Sequence, residues 1–488
     1  MRKMHLAAYL KTGPTASYAS AWRHPSAPLH DIWEPERYEH LARCLEEARF
    51  DAGFFADGLG LPDIYKNTYA DYIGRGGQAS LLDPMTVLPL MARVTKHLGL
   101  GNTISTTFHQ PYHIARSLGS LDLLSKGRAA WNVVTSATDY EARNCGMDGV
   151  PPKEDRYARA DDVLEACYAL WDCWDEDALV LDRESGVFAD ASKIRYANHV
   201  GPYVRTRGPM SIPRSPQGRP LILQAGSSPR GRECAARWAD MIFCTTATKA
   251  DGIAFREDMH KRLRAAGRDP TECAVMPTLS VVIGETESIA KEKAEFLVSL
   301  IDPELVMASG SQLLGVDLST VETAEEAERA AGNQGIQGSR DRMIQVAKAQ
   351  GISFAQAVRK PRGLLAGTPQ MIADVMEDWF KSGACDGFVL PPTVFPMTYE
   401  EFARMVTPEL QKRACCVASM RARPCVKTWP IPADRKASHE NFPPDPDRHV
   451  DRGNDRRRDR SRACRLQRDA HRHQLVAQHP RPDDDDDR

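Results

Sequence analysis

Eight short runs of apolar, often β-branched residues alternate with helix-like segments along most of the chain. Such alternation predicts a parallel sheet with helices covering both faces. The predicted strands are His5–Tyr9, Ala52–Ala56, Leu98–Thr106, Ala129–Val134, Leu221–Gln224, Met241–Cys244, Ala274–Val282 and Gly387–Leu390. The predicted helices are Pro35–Ala48, Pro84–Ala92, Tyr112–Leu124, Arg156–Trp174, Gly231–Ala239, Ala247–Ala266, Glu287–Ser299 and Pro369–Ser382.

Eight strands are the number found in a TIM-like (β/α)8 barrel, an α/β fold whose active sites lie at the carboxyl ends of the strands. A doubly wound open sheet is the alternative, but no Gly-x-Gly-x-x-Gly sequence follows the first strand. We predict one barrel domain over residues 1–413. Two segments, at about 178–218 and 305–365, look inserted, and such insertions commonly cover the active-site mouth of a barrel enzyme.

The composition excludes several classes of protein. The 488 residues carry a formal net charge of -2, which argues against a nucleic-acid-binding surface. No apolar run reaches the roughly 20 residues that a bilayer requires, and the amino terminus lacks the apolar region of a signal peptide. The 12 cysteines are scattered. We therefore expect a cytoplasmic protein with free thiols, no metal site, no nucleic-acid partner and no membrane association.

The composition changes abruptly after Arg413. Residues 414–488 are rich in Arg, Asp, Pro and His, lose the apolar periodicity and end in five aspartates and one arginine. Such a segment buries too little apolar surface to offset its chain entropy, so we predict a disordered, low-complexity tail.

One predicted strand ends in the small residues Gly226-Ser227-Ser228 and leads directly into a helix. The free N–H groups and the positive dipole of a helix start favour an anion, and Ser227 and Ser228 add hydroxyls. Arg230 and Arg232 follow closely enough to add positive charge. For this motif alone, the simpler interpretation is an ordinary turn in which a serine caps the helix.

Three other strand ends carry acidic or hydroxyl side chains. Asp57 follows the second strand, Thr106 ends the third, and Thr135 and Ser136 follow the fourth. At the carboxyl ends of barrel strands these groups face the pocket, where small hydroxyls leave room for a flat ring. Helix capping and the strand propensity of threonine would explain the same residues without a functional site.

A long predicted helix is preceded by Lys153-Glu-Asp-Arg-Tyr157. The phenol of Tyr157 can donate to a phosphate, while Lys153 and Arg156 can add positive charge. A solvated helix start is the alternative. His109 and His113 have the spacing of a metal-binding pair, but no third ligand is arranged to complete a site.

Together, these strand ends and the serine-containing turn indicate a pocket for a phosphorylated planar cofactor. At these residues the chain resembles the flavin-dependent monooxygenases of the bacterial luciferase superfamily. Within it, the resemblance is to the branch of nitrilotriacetate monooxygenase component A, dibenzothiophene-sulfone monooxygenase and long-chain alkane monooxygenase. The matching sequences are Ala21-Trp-Arg-His-Pro25, Phe54-Phe-Ala-Asp57, Asp83-Pro-Met85, Ser105-Thr-Thr107, Pro111-Tyr112, Ala115-Arg116, Trp131-Asn-Val-Val-Thr-Ser136, Arg156-Tyr157, Arg207-Gly-Pro209, Pro213-Arg-Ser-Pro-Gln-Gly-Arg-Pro220, Gln224-Ala-Gly-Ser-Ser-Pro229 and Gly363-Leu-Leu-Ala-Gly-Thr-Pro369.

The resemblance implies a TIM-like barrel that binds FMN as FMNH2, supplied by a separate NAD(P)H:flavin reductase in a two-component system. It implies that O2 is the co-substrate and that a flavin C4a-hydroperoxide oxygenates a small organic substrate. By position, Asp57 and Thr106 would lie beside the isoalloxazine. The residues implied to hold ribityl or phosphate groups are Thr135, Ser136, Tyr157, Ser227 and Ser228. A homodimer or homotetramer is implied as well.

The chain departs from the family pattern at three places. The family usually has histidine four residues before the tyrosine, where this chain has Lys153, a cation that can still approach the flavin or its phosphate. The family often has a histidine ahead of the Ala-Trp-Arg-His-Pro sequence; this chain has none near there, so no substrate base is assigned. The stretch Met420–Pro432 lacks the usual family ending. We hypothesise a frameshift near residue 414, which translation of the neighbouring reading frame tests.

Two other functions stay open. A deazaflavin-dependent oxidoreductase would use the same barrel for hydride transfer, and a flavin-binding protein without turnover would keep the pocket alone. A metal-dependent barrel hydrolase is disfavoured because the sequence shows no ligand cluster. The family handles polycarboxylates, sulfones, sulfides, alkanes and N-heterocycles, so the resemblance does not select a substrate.

Overall fold

The computed structural model describes residues 3–14, 18–226, 228–330, 332, 334–359 and 363–413. In this part of the chain, eight parallel strands form one sheet. They are β1 (His5–Leu10), β2 (Ala52–Phe55), β3 (Gly99–Ser105), β4 (Ala129–Val134), β5 (Leu221–Ala225), β6 (Met241–Cys244), β7 (Ala274–Pro277) and β8 (Gly387–Leu390). Their order in the sheet follows the chain from β1 to β7, and β8 pairs with β1.

The sheet nearly closes into a barrel between β7 and β8. The Asp386 N–H donates to the Val275 carbonyl at 2.8 Å, and the Leu279 N–H donates to the Val389 carbonyl at 2.9 Å. The TIM-like barrel predicted from the alternation is therefore confirmed.

The predicted strand Ala274–Val282 is wrong in one respect, because it divides in two. The regular barrel strand ends at Pro277, the chain keeps contact with β8 as far as Leu279, and Val281–Ile283 then pairs with Leu365–Gly367. Its apolar, β-branched composition suits both halves, so composition alone did not reveal the break.

Helices alternate with the strands around the outside of the barrel. In the described residues these are α1 (Pro35–Glu47), α2 (Pro84–Val94), α3 (Pro111–Leu124), α4 (Lys153–Trp171), α5 (Pro229–Trp238), α6 (Lys249–Ala265) and α7 (Pro369–Lys381). Five of them begin with proline, whose fixed φ suits a first turn and whose missing N–H would have no partner there. Further helices are Ala70–Gly74, Asp139–Asn144, Glu287–Ser299, Pro303–Leu314, Ala324–Arg329, Gln337–Gln350, Phe354–Arg359, Met397–Glu401, Phe402–Val406 and Thr407–Lys412.

The side chains of β1 alternate between two environments. Leu6, Ala8 and Leu10 pack outward in the core shared with the helices, whereas Ala7 and Tyr9 face the barrel interior. The interior cluster comprises Ala7, Phe54, Ala130, Leu223, Met241, Ala274, Met276 and Val389. Tyr9 and Phe243 pack against this cluster: the Tyr9 and Phe54 rings have centroids 5.7 Å apart, and the Phe54 and Phe243 rings have centroids 5.0 Å apart. These three rings form an aromatic floor beneath the mouth of the barrel.

The connection between β7 and α7 contains a helical layer, which we define as residues 303–359. Its helices build a core of their own that includes Leu305 and Phe354 and takes in Tyr65 from the loop after β2. The Gly335 N–H donates to the Ala137 carbonyl, just after β4, at 2.7 Å. The layer therefore packs against loops that leave the carboxyl ends of two barrel strands.

The other predicted insertion, residues 178–218, contains two short hairpins, Leu179–Asp182 with Val187–Ala189 and His199–Val200 with Arg205–Thr206. The second hairpin packs on α4, where the Asp162 carboxylate lies 2.6 Å from His199 Nε2. Because these contacts lie along α4, a covering role for this segment stays a prediction.

Two predictions fall outside the described residues: the tail at 414–488 and Ser227. Within the described part, no helix combines the length and the apolar character needed to cross a bilayer.

Gly101 in β3 occupies a tight point inside the barrel wall. A Cβ added there would lie 2.4 Å from Phe54 Cβ and 3.1 Å from Phe54 Cα. We expect Gly101→Ala to lower the free energy of unfolding by about 1–3 kcal/mol, because β2 and β3 would have to separate locally. Urea unfolding measures this. Gly338→Ala, at a helical position with open space, is the control, and equal losses in both variants would contradict the prediction.

Candidate active site at the mouth of the barrel

The turn between β5 and α5 forms one side of the site. Ser228 is the N-cap of α5, and its Oγ accepts a hydrogen bond from the Gly231 N–H at 3.1 Å. A Cβ added to Gly231 would lie 3.1 Å from Tyr157 Oη and 3.2 Å from Ser228 Oγ. The helix start therefore comes close to Tyr157, and only a residue without a side chain fits between them easily.

Tyr157 connects α4 to this turn. Its half-buried phenol is hydrogen-bonded to the Ser228 side chain. Burial raises the pKa of Tyr157, so the phenol stays protonated at neutral pH and remains a donor. The amino-terminal ends of α4 and α5, each with a positive dipole, thus meet at one point.

Arg230 and Arg232 do not serve the turn as the sequence suggested. Arg230 Nη2 donates to Asp161 at 2.8 Å, and the guanidinium lies 5.2 Å from the centre of the Tyr157 ring. Arg232 Nη1 donates to Asp258 at 2.9 Å. Both charges are used in ion pairs with neighbouring helices, which spacing along the chain did not reveal.

Two more cations lie in the first turn of α4. Arg156 is buried and donates to the Ser136 carbonyl, and burial lowers its pKa. Lys153 is half-buried and, among the described residues, has no hydrogen bond or ion pair. Its charge is therefore available to a ligand.

The end of β4 turns sharply at Ser136, which has a positive φ of 49°. Its hydroxyl donates to Glu141 Oε1 at 3.3 Å, and the buried Glu141 also accepts from the Thr138 hydroxyl at 2.5 Å. The preceding Thr135 is half-buried, and its carbonyl accepts from the Thr107 hydroxyl at 2.6 Å. Ser136, just after β4, thus lies beside a buried carboxylate that the sequence did not single out.

Thr106 is fully buried at the end of β3. Its hydroxyl donates to the Val134 carbonyl at 3.3 Å, and its own carbonyl accepts from Arg159 Nε at 3.0 Å. Below it, Asn132 Nδ2 donates to Thr103 Oγ1 at 2.8 Å. The Thr106 hydroxyl therefore ties β3 to β4 at the edge of the mouth.

Asp57 and Lys11 follow β2 and β1 on the other side of the mouth. Asp57 Oδ1 accepts from the Gly58 N–H at 2.8 Å, and burial raises the pKa of the Asp57 carboxyl. Burial lowers the pKa of Lys11, while the charges of Asp57 and Glu141 oppose that shift. The sequence reading missed Lys11, although the strand-end rule that selected Asp57 applies equally to it.

The described residues of the predicted site lie at one end of the barrel. A chain of contacts runs from Tyr157 and Ser228 through Arg156 to Ser136 and Glu141, and then to the loop after β2, where the Leu59 N–H donates to Glu141 Oε1 at 3.3 Å. The residues that sequence reasoning missed are Lys11, Glu141 and Arg159. Glu141 and Arg159 lie in helices rather than at strand ends, so only the three-dimensional structure shows them.

The raised pKa of Asp57 predicts a pH-dependent stability. Below its ordinary pKa the carboxyl is protonated in both states, and as pH rises to the raised value the unfolded state ionises first. Wild-type stability therefore falls across that window relative to Asp57→Asn, which carries no charge. In urea unfolding, the wild type and Asp57→Asn should differ by a small, constant free energy below the ordinary pKa of the carboxyl. As pH rises above it, the variant should become increasingly more stable than the wild type. Asp341→Asn, at an exposed site, is the control; a constant difference across the window would contradict the prediction.

Comparisons with known proteins agree with this architecture. The profile of the luciferase-like monooxygenase family matches residues 16–385. Dibenzothiophene-sulfone monooxygenase of Rhodococcus erythropolis (strain XP) is 40% identical over 424 residues, covering 84% of this chain and 93% of that protein. Nitrilotriacetate monooxygenase component A of Aminobacter aminovorans is 37% identical over 409 residues, covering 80% and 89%.

A solved structure of riboflavin lyase with modified FMN and the substrate riboflavin also superposes on this chain, with a TM-score of 0.78 and 29% identity. It covers 88% of this chain and 96% of that one. The motifs that predicted the family are thus supported over most of the chain, and the chain belongs to the luciferase-like monooxygenase family, whose members are flavin-dependent monooxygenases.

Proposed function

We propose that the protein is the oxygenating component of a two-component system, using FMNH2 from a separate NAD(P)H:flavin reductase and O2 to oxygenate a small organic molecule. Nitrilotriacetate monooxygenase component A is by its name one component of a system, and the riboflavin lyase structure contains modified FMN. Both support the proposal for this chain. A cytoplasmic location and a homodimer or homotetramer belong to the same proposal.

The observation that carries the proposal is the meeting of two helix starts at the Tyr157–Ser228 hydrogen bond. Two positive dipole ends and a protonated phenol lie at one point, and Lys153 in the first turn of α4 has no ion pair with any described residue. This set suits a phosphate group, because anions are favoured at helix starts and by charge-assisted donors. The residues present therefore fit the phosphate end of FMN.

The residues divide the work of binding. Tyr157, Ser228 and Lys153 would hold the phosphate, Thr135 and Ser136 would contact the ribityl chain, and Asp57 and Thr106 would lie beside the ring. We assign Ser227 to the phosphate-binding residues as well, because it directly precedes Ser228 in the sequence.

Reduced flavin, when bound, supplies the reaction with O2, and the protein contributes binding, orientation and exclusion of water. Because the helical layer packs on the loops after β2 and β4, it is the described segment that we expect to exclude water, with residues 178–218 as the second candidate.

Oxygen uptake tests the proposal. The purified protein is combined with an FMN reductase, NADH and a panel of sulfones, sulfides, polycarboxylates, alkanes and N-heterocycles, and incorporation of ¹⁸O from ¹⁸O2 is measured. We expect one class to acquire label. FMNH2 binding without label in any class would favour a flavin-binding protein without turnover, and binding of reduced deazaflavin in place of FMNH2 would favour hydride transfer.

A further inference from the structure

Lys11 directly follows β1 at the mouth of the barrel. Because Ala7 and Tyr9 face the interior while Leu6 and Leu10 pack outward, the alternation of β1 places Lys11 on the interior side, one step above Tyr9. The side chain is half-buried. In the part of the chain that the structure describes, it donates no hydrogen bond and forms no ion pair.

The carboxylates whose charges act on Lys11 are already held by other donors. Asp57 accepts from the Gly58 N–H at 2.8 Å, and Glu141 accepts from the Thr138 hydroxyl at 2.5 Å. Both carboxylates favour the charged ammonium from a distance. The three N–H donors of that ammonium are left for a ligand.

Lys11 is also separated from the proposed phosphate site. In a barrel of eight strands β1 and β5 stand opposite one another, and the Tyr157–Ser228 pair lies at the end of β5. Among the described residues, the mouth therefore has a positive region at the starts of α4 and α5 and, across from it, the Lys11 ammonium with the charges of Asp57 and Glu141 nearby. One flavin phosphate accounts for the first and leaves the ammonium unexplained.

We propose that Lys11 determines substrate specificity, and that the enzyme takes organic anions. The apolar part of the substrate would lie over the aromatic floor of Tyr9, Phe54 and Phe243. An oxygen of its carboxylate, sulfonate or sulfinate group would accept a hydrogen bond from Lys11. A partly desolvated ammonium without an acceptor is unfavourable, so a ligand that brings an anionic oxygen gains more there than in water. This inference rests on the proposed function, because it names the substrate class of the same site.

Matched pairs of anionic and neutral probes test the inference. Calorimetric titrations under anaerobic conditions, with the full chain saturated with FMNH2, compare benzoate with benzamide, benzenesulfonate with benzenesulfonamide, and octanoate with octanamide. We expect the wild-type protein to bind the anion of at least one pair about ten-fold or more tightly than its amide. Lys11→Met should remove that preference and leave amide binding unchanged, while Lys11→Arg should retain it.

The control is Lys261→Met, at an exposed position on α6, which should behave as the wild type. Equal affinities within every pair, no binding of any anion, or a preference that survives Lys11→Met would overturn the inference. So would a Lys11→Met variant that loses FMNH2 affinity but keeps the preference. Repeating the titrations without flavin separates the two proposals. If the protein fails to bind FMNH2 but still prefers anions in a Lys11-dependent way, the proposed cofactor is wrong and the anion site is supported.

Discussion

The double variant Tyr157→Phe, Ser228→Ala is expected to bind FMNH2 about 10²–10⁴-fold more weakly than the wild type. Each substitution removes a hydroxyl from the point where α4 and α5 meet. Hydrogen bonds to charged groups contribute about 1.5–3 kcal/mol each, and two such losses correspond to this range of affinity. Anaerobic titration followed by flavin fluorescence measures the dissociation constant, with each single variant expected to lie between the two.

Ser228→Ala also removes a helix cap, which by itself costs about 1 kcal/mol of stability. The control therefore removes a cap and a tyrosine hydroxyl elsewhere: Thr286→Ala, where Thr286 Oγ1 accepts from the Ile289 N–H at 3.3 Å, together with Tyr196→Phe at an exposed loop position. This variant should lose similar stability and keep FMNH2 affinity. If the folded Tyr157→Phe, Ser228→Ala protein binds FMNH2 with wild-type affinity, the phosphate site does not lie in this part of the barrel.

The strand-end side chains could be predicted because they depend on few physical facts. Alternation with helices makes the strands parallel, parallel strands in a barrel end on one side, and side chains just beyond those ends converge. Asp57 and Ser136 follow from that reasoning alone. The Gly226–Ser228 turn needed one further fact, that a helix start offers free N–H groups and a positive dipole to an anion.

What could not be predicted depends on contacts between residues far apart in the chain. Arg230 has the same charge whether or not a carboxylate is near, and only the packing of α5 on α4 brings Asp161 to it. The Thr106 hydroxyl likewise donates within the barrel wall, a use that strand propensity alone does not distinguish from ligand binding. Lys11 is a candidate ligand-binding residue because it is partly buried, and its burial depends on how the neighbouring loops pack around the end of β1.

Replacing residues 305–359 with a short glycine-serine linker is expected to raise the rate at which FMNH2-loaded protein releases hydrogen peroxide after mixing with O2, by about ten-fold or more. The helical layer packs on the loops after β2 and β4 and is the element best placed to keep water from the mouth, and water promotes release of peroxide without oxygenation. Stopped-flow mixing without organic substrate measures the rate, so the result does not depend on knowing the substrate.

Because the deletion also exposes Tyr65 and Tyr72, a milder variant keeps the test interpretable. Gln312 Nε2 donates to Tyr140 Oη at 3.0 Å, and Gln334 Oε1 accepts from the Asp139 N–H at 3.0 Å. Gln312→Ala with Gln334→Ala loosens the layer from the loop after β4 while leaving its core intact, and should give an intermediate rate. If both variants bind FMNH2 as the wild type does and release peroxide no faster, the layer does not exclude water, and the barrel mouth must be closed by another segment such as residues 178–218.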